Sequence, residues 1–159
     1  MDQWHRTFYK SPIGEIEIKG TDKEICSVNF VKGKKRESAS SHSAALKECV
    51  KQLDEYFKGK RRIFELILRM GGTDFQKAVW LSLLVVGYGE TASYGNIAKA
   101  IGRPKAARAV GNSNRLNPIG IIVPCHRVIG SSGDLTGYGG GLWRKEWLLE
   151  HERKHLKKK

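Results

Sequence analysis

Over the first sixty residues, polar and apolar positions alternate and then change to a helical spacing. Gly14 to Lys19 and Ile25 to Val31 carry alternating or β-branched side chains, which predicts two strands. SerProIleGly at 11–14 and GlyThrAspLys at 20–23 supply the turns. From Ser43 to Lys58, Leu46, Cys49, Val50, Leu53 and Phe57 recur on one helix face, and Gly59 is placed to end that helix in the left-handed conformation. ArgArgIlePheGluLeuIleLeuArg at 61–69 reads as a further strand, and MetGlyGly at 70–72 as a linker. A boundary near Gly71 follows. It separates an N-terminal α/β domain, 1–70, with a small antiparallel sheet and a helix, from a mostly helical C-terminal domain, 71–159.

The second half opens with a capping pattern, Thr73 and Gln76, ahead of Phe75, Val79, Trp80, Leu83 and Leu84. A short helix is predicted from Ser93 through Tyr94, Ile97, Ala98 and Ile101, stopping at Gly102. Pro104 can occupy the first turn of the next helix, Lys105 to about Asn112, and the two together make a helix-turn-helix. Asn and Pro residues then break the chain through 112–118, an apolar stretch spans Ile119 to Val123, and a Gly-rich loop occupies 131–141. A last helix holds Trp143, Trp147 and Leu148, and its Lys-rich end suits a helix C-terminus.

Charge narrows the class of partner. The chain has 159 residues, with 29 Lys plus Arg against 16 Asp plus Glu and a net charge of +13, a balance that favours a polyanion such as nucleic acid. Part of it lies in LysGlyLysLysArg at 32–36 and in Arg153 to Lys159, which read as a solvated loop and a frayed terminus. The apolar stretches fall far short of the ~20 residues a spanning helix needs, and MetAspGlnTrpHisArg has no apolar signal core, so a soluble, cytoplasmic protein (nuclear in a eukaryote) is expected. Cys26, Cys49 and Cys125 form an odd set without CxxC spacing, which argues against a disulfide framework and fits a reducing compartment. Cys49, on the helix face, and Cys26, sharing an alternating face with Val28 and Phe30, both read as core. His5, His42 and Cys26 lack zinc-ligand spacing, so no metal and no cofactor is predicted.

Two segments carry candidate chemistry. LysAlaAlaArgAlaVal at 105–110 surrounds one arginine with alanines, so the helix either docks flat on DNA with Arg108 projecting, or packs inside the protein with Arg108 snorkelling to water. Few side chains on it could read base edges. ProIleGlyIleIleValProCysHisArgVal at 118–128 sets Cys125 after a proline with His126 beside it. A thiol near pKa 8.5 needs a base or a positive field to act as a nucleophile, and His126 can supply the base. Neighbouring side chains on extended backbone point apart, so a turn or a bridging water must relay the proton, and a carboxylate should orient the imidazole.

With ProCysHisArgVal at 124–128, SerTyr at 93–94, ProLysAlaAlaArgAlaValGly at 104–111, AsnPro at 117–118, SerSerGly at 131–133 and LysGluTrpLeuLeuGluHisGlu at 145–152, the chain resembles the O6-alkylguanine-DNA alkyltransferases. The likeness runs from about Phe75 to Glu152, with weaker agreement at ArgThr (6–7) and SerProIleGly (11–14). The resemblance implies direct-reversal repair: Cys125 accepts the alkyl group from O6-alkylguanine, and less favourably from O4-alkylthymine, in a flipped nucleotide of double-stranded DNA, once per chain. It further implies that His126 acts as base through water, Glu152 orients it, Asn117 is a hinge, and Tyr94 donates toward guanine N3. Val128, Tyr138 and Gly139 would line the guanine pocket. Arg108 would fill the gap left by the extruded base, with Ala106, Ala107 and Arg115 on the same minor-groove surface of a monomer. Gly139 departs from the serine many members carry there, and the N-terminal zinc of some relatives has no matching ligand set in this chain.

Other functions account for less of the sequence. A helix-turn-helix regulator leaves Cys125, His126 and Glu152 without a role, and a thiol hydrolase also needs an oxyanion site.

Overall fold

The computed structural model describes residues 3–32 and 43–157. Most of the basic run at 32–36, the end of the Lys-rich tail and His42 lie outside the described residues. The chain divides into two compact units, Met1–Gly71 and Gly72–Lys159.

The first unit is a three-stranded antiparallel sheet with one helix. Its strands are β1 (His5–Ser11), β2 (Gly14–Gly20) and β3 (Ile25–Phe30), in the order β1-β2-β3. β1 was not legible as a strand: HisArgThrPheTyrLysSer has little apolar alternation, and its pairing with β2 supplies the regularity. The helix α1 (Ala44–Phe57) starts at Ser43, whose hydroxyl accepts from the Leu46 N–H, and Gly59 follows it at φ +75° as anticipated.

Two expectations need correction. The register between β2 and β3 slips at Lys19/Gly20, so that Lys19 pairs with Ser27 but Gly20 pairs with Ile25. Cys26 is the extra residue of this bulge. Ile25 therefore joins Val28 on the buried face, while Cys26 is half-buried instead of core. Residues 61–69 do not form a strand; they make a single parallel bridge, Ile25 to Leu68. The buried Gln52 amide explains why the segment still holds an extended path: its Oε1 accepts from Glu65 N at 2.9 Å and its Nε2 donates to Glu65 O at 3.2 Å, as a neighbouring strand would.

In the second unit, α2 (Asp74–Leu83) begins with the anticipated capping box of Thr73 and Gln76. The helix-turn-helix consists of α3 (Tyr94–Ala100), capped by Ser93, and α4 (Ala107–Arg115). α4 starts later and ends later than the sequence suggested, because Pro104 sits in a turn closed by Ala106 N donating to Arg103 O at 2.9 Å. Trp80 Nε1 donates to Ser113 O at 2.8 Å and ties α2 to α4. The two-residue strands β4 (Ala92–Ser93) and β5 (Val128–Ile129) pair in parallel, which places the start of α3 beside the chain leaving Cys125. The last helix, α5 (Leu142–Leu156), buries Lys145, Leu148, Leu149 and Glu152 on one face. No helix among the described residues is long and apolar enough to cross a membrane.

Candidate active site

Tight backbone geometry delivers Cys125. Ile122 N donates to Gly120 O at 2.7 Å across Ile121, whose φ is +69°, and Cys125 N donates to Val123 O at 2.8 Å across Pro124 at φ −81°, ψ 64°. These are a γ-turn followed by an inverse γ-turn. A β-branched residue at positive φ costs on the order of 1–3 kcal/mol, and Ile121 is held there by near-complete burial. Asn117 spans the segment: its Oδ1 accepts from Ile119 N at 3.0 Å, and its Nδ2 donates to Val123 O at 2.8 Å and Ile119 O at 3.2 Å. Asn114 Nδ2 of α4 donates to Cys125 O at 3.2 Å. The helix that presents Arg108 is thus tied directly to the backbone of the cysteine.

Cys125, His126 and Arg127 form one 3-10 turn instead of extended backbone. Their side chains fan out from a common axis. His126 is fully buried, and its Nε2 lies 2.7 Å from Glu152 Oε2. The same carboxylate accepts Arg127 Nε at 2.8 Å, Arg127 Nη2 at 3.0 Å and the Gly89 N–H at 3.1 Å. Gly89 can present that N–H because it adopts φ +76°. Opposite a carboxylate, Nε2 carries the imidazole proton. Nδ1 is then the lone-pair nitrogen, and it has no partner among the described residues.

Burial sets the protonation states. It pushes the Cys125 thiol up, opposed by a hydrogen bond from Asn117 and by the Lys145 charge. Burial likewise pushes His126 down, against the pull of Glu152, and Arg127 and Lys145 push the same way as burial. Burial alone would raise Glu152, but His126 and Arg127 together hold it well below the ordinary carboxylate range. Lys145, pushed down to about 8 by burial, donates to Val128 O and Thr136 O, each at 2.6 Å. The resting site is therefore a protonated thiol beside a neutral imidazole.

The remaining candidates distribute around this centre. Val128 is buried at the end of the 3-10 turn, and burial pushes the Tyr138 phenol well up, with the Glu152 carboxylate acting in the same direction. The Tyr94 hydroxyl lies 2.8 Å from Thr136 Oγ1 and donates to Thr136 O at 3.2 Å, so Thr136 links Tyr94 to Lys145. A Cβ on Gly139 would meet Arg115 O at an ordinary 3.6 Å, so a serine would fit there. Ala106 and Ala107 are half-buried at the start of α4, and Arg108 is exposed, while Val110, Ser113 and Asn114 of the same helix are buried. Arg115 Nη2 donates to Asn112 Oδ1 at 2.7 Å.

Arg127, Lys145, Asn114 and Gly89 were not singled out from sequence. One signal was available: Lys145 and Glu152 share the helical spacing of Leu148 and Leu149, which marks them as charges on an inward face.

The site makes one stability prediction. Unfolding returns His126 and Glu152 to ordinary affinities near 6.5 and 4.5, so the unfolded chain binds more protons as pH falls. The second unit should lose stability below about pH 6.5 and more steeply below about 4.5. Urea midpoints followed from pH 8 to pH 4 check this; a midpoint that rises on acidification contradicts it.

Residues 4–70 match the family described as 6-O-methylguanine DNA methyltransferase, ribonuclease-like domain, and residues 74–154 match its DNA binding domain. The chain is 50% identical over 148 residues to the methylated-DNA–protein-cysteine methyltransferase of Methanosarcina acetivorans, covering 91% of this chain and 95% of that one. The crystal structure of the Mycobacterium tuberculosis O6-methylguanine methyltransferase superposes with a TM-score of 0.87 at 46% identity, over 96% of this chain and 94% of that one. A second structure of that enzyme, in complex with DNA, gives the same TM-score at 48% identity, over 95% of this chain and 94% of that one. With both halves matched and relatives this similar along nearly their whole length, the chain belongs to the methylated-DNA–protein-cysteine methyltransferases.

Proposed function

We propose that this protein repairs alkylated DNA by direct reversal, moving the alkyl group from O6 of guanine, and less readily from O4 of thymine, to Cys125. The observation that carries the reading is the buried Cys125-His126-Glu152 arrangement tied through Asn114 to the helix bearing Arg108. Stacked bases cannot bring O6 to a buried sulfur, so the nucleotide must leave the helix, at a cost of a few kcal/mol that a poorly paired lesion partly offsets. Arg108, at the end of a smooth Ala-rich surface entering the minor groove, fills the vacated space. Ala106, Ala107 and Arg115 belong to the same surface.

In the chemical step, His126 Nδ1 takes the thiol proton through a water and Glu152 stabilises the imidazolium. A C–S bond forms in line as the C–O6 bond breaks. Tyr94 donates toward N3 so that guanine leaves neutral, while Val128, Tyr138 and Gly139 line its pocket. Asn117 holds the segment that carries the nucleophile. The product thioether has no easy leaving path, so each chain, acting as a monomer, reacts once.

Incubation with duplex DNA carrying one labelled O6-methylguanine tests the reading. Label should appear on protein at no more than one equivalent, and multiple turnover would overturn it. Arg108→Ala should slow repair of the duplex lesion at least about tenfold more than reaction with free O6-benzylguanine, as expected when the lost group supports only the flipped state. Equal losses on both substrates would remove the wedge role.

A further inference from the structure

Arg127 is 6% exposed and is bound at every face of its guanidinium that the structure describes. Nε and Nη2 take the two oxygens of Glu152, Nη1 donates to Val86 O at 2.7 Å, and the plane lies over the Tyr88 ring at 5.7 Å. None of these contacts reaches Cys125 or the proposed substrate. They converge on the carboxylate that faces His126.

We propose that Arg127 is a positioning residue for alkyl transfer: its fork neutralises and orients Glu152, so that the carboxylate accepts the His126 Nε2–H while Nδ1 stays free to act as base. This rests on the reading of His126 as the base for Cys125. A buried carboxylate without that arginine would form a full ion pair with the imidazole, placing a proton on Nδ1 and removing the base. The other groups around His126 do not replace it. Lys145 of α5 is engaged with Val128 O and Thr136 O, burial keeps the Cys125 thiol protonated at rest, and burial likewise keeps the Tyr138 phenol neutral at neutral pH. Arg127 pairs directly with Glu152, its Nε 2.8 Å from Oε1. Its charge lowers the proton affinity of His126 in the same direction as burial does.

The test reads the His126 imidazole by ¹⁵N NMR in the full chain without DNA, together with single-turnover transfer rates from duplex O6-methylguanine across pH. In the unsubstituted protein His126 should be neutral at pH 7 with its proton on Nε2; an imidazolium there overturns the proposal. In Arg127→Gln the titration midpoint of His126 should rise by about one pH unit or more, the size expected of an unshielded opposite charge. The acid limb of the rate profile should move with it. Arg127→Lys, which restores the charge without the fork, should return the midpoint most of the way. A purely structural arginine would lower rates at every pH while leaving midpoint and limb in place, and that result overturns the proposal. If Arg127→Gln does not fold, the unsubstituted tautomer and the Arg127→Lys titration decide, and a lysine variant whose His126 is imidazolium at pH 7 counts against it. Because the imidazole readout needs no DNA, failure of this inference is separable from failure of the repair reading, which label transfer alone scores.

Discussion

Cys125→Ser is expected to abolish label transfer from alkylated duplex DNA, while Cys26→Ser and Cys49→Ser transfer a full equivalent. The reason is acidity combined with location. A serine hydroxyl is far less acidic than a thiol, so the imidazole in the same buried turn generates much less of its anion, and its oxygen is a weaker nucleophile than sulfur toward an alkyl carbon. Cys49 is pushed up to about 12 by burial, so its thiolate is scarce at any physiological pH. Cys26 sits at a bulge in the sheet of the first unit and is only half-buried. Mass spectrometry of the reacted protein locates the alkyl group. Transfer that survives in Cys125→Ser, or is lost in Cys26→Ser, would reject the assignment of the nucleophile.

Glu152→Ala should have the largest effect on stability of any single change at the site. Glu152 is fully buried and accepts from His126, twice from Arg127 and from Gly89 N. Truncation would leave a buried guanidinium without its counter-charge and His126 Nε2–H without an acceptor. Breaking a buried pair from one side costs about 3–5 kcal/mol. That loss should be visible as a lower urea midpoint in the second unit, with a slower transfer rate at temperatures where the variant still folds. A change below about 1 kcal/mol would mean that the pair is dispensable and that water substitutes for the carboxylate. Glu152→Gln keeps the volume but offers a donor to Arg127 where an acceptor is needed, so it should fall between the two.

Local signals announced much of the fold. The helix of the first unit was legible because Ser43 caps it and Gly59 ends it; α2 was legible because Thr73 and Gln76 form a reciprocal box. β1 was not, because an edge strand with mixed side chains acquires its regularity from the neighbour it pairs with. Cys26 was misplaced for a related reason. One bulged residue shifts every later side chain to the opposite face, and nothing in the alternation of Cys26, Val28 and Phe30 reveals it. The start of α4 slipped because Pro104 suits a turn as well as the first turn of a helix.

The sequence by itself determined which residues were candidates for chemistry: a cysteine follows a proline with a histidine next to it, and an arginine stands alone among alanines earlier in the chain. Tertiary structure alone decided their protonation. Glu152 and Arg127 stand 25 positions apart, and Gly89 lies 63 positions from Glu152, yet they meet at one carboxylate. Whether a thiol, an imidazole or a carboxylate holds its proton depends on burial and on the charges within a few ångströms, and both are properties of the packed chain.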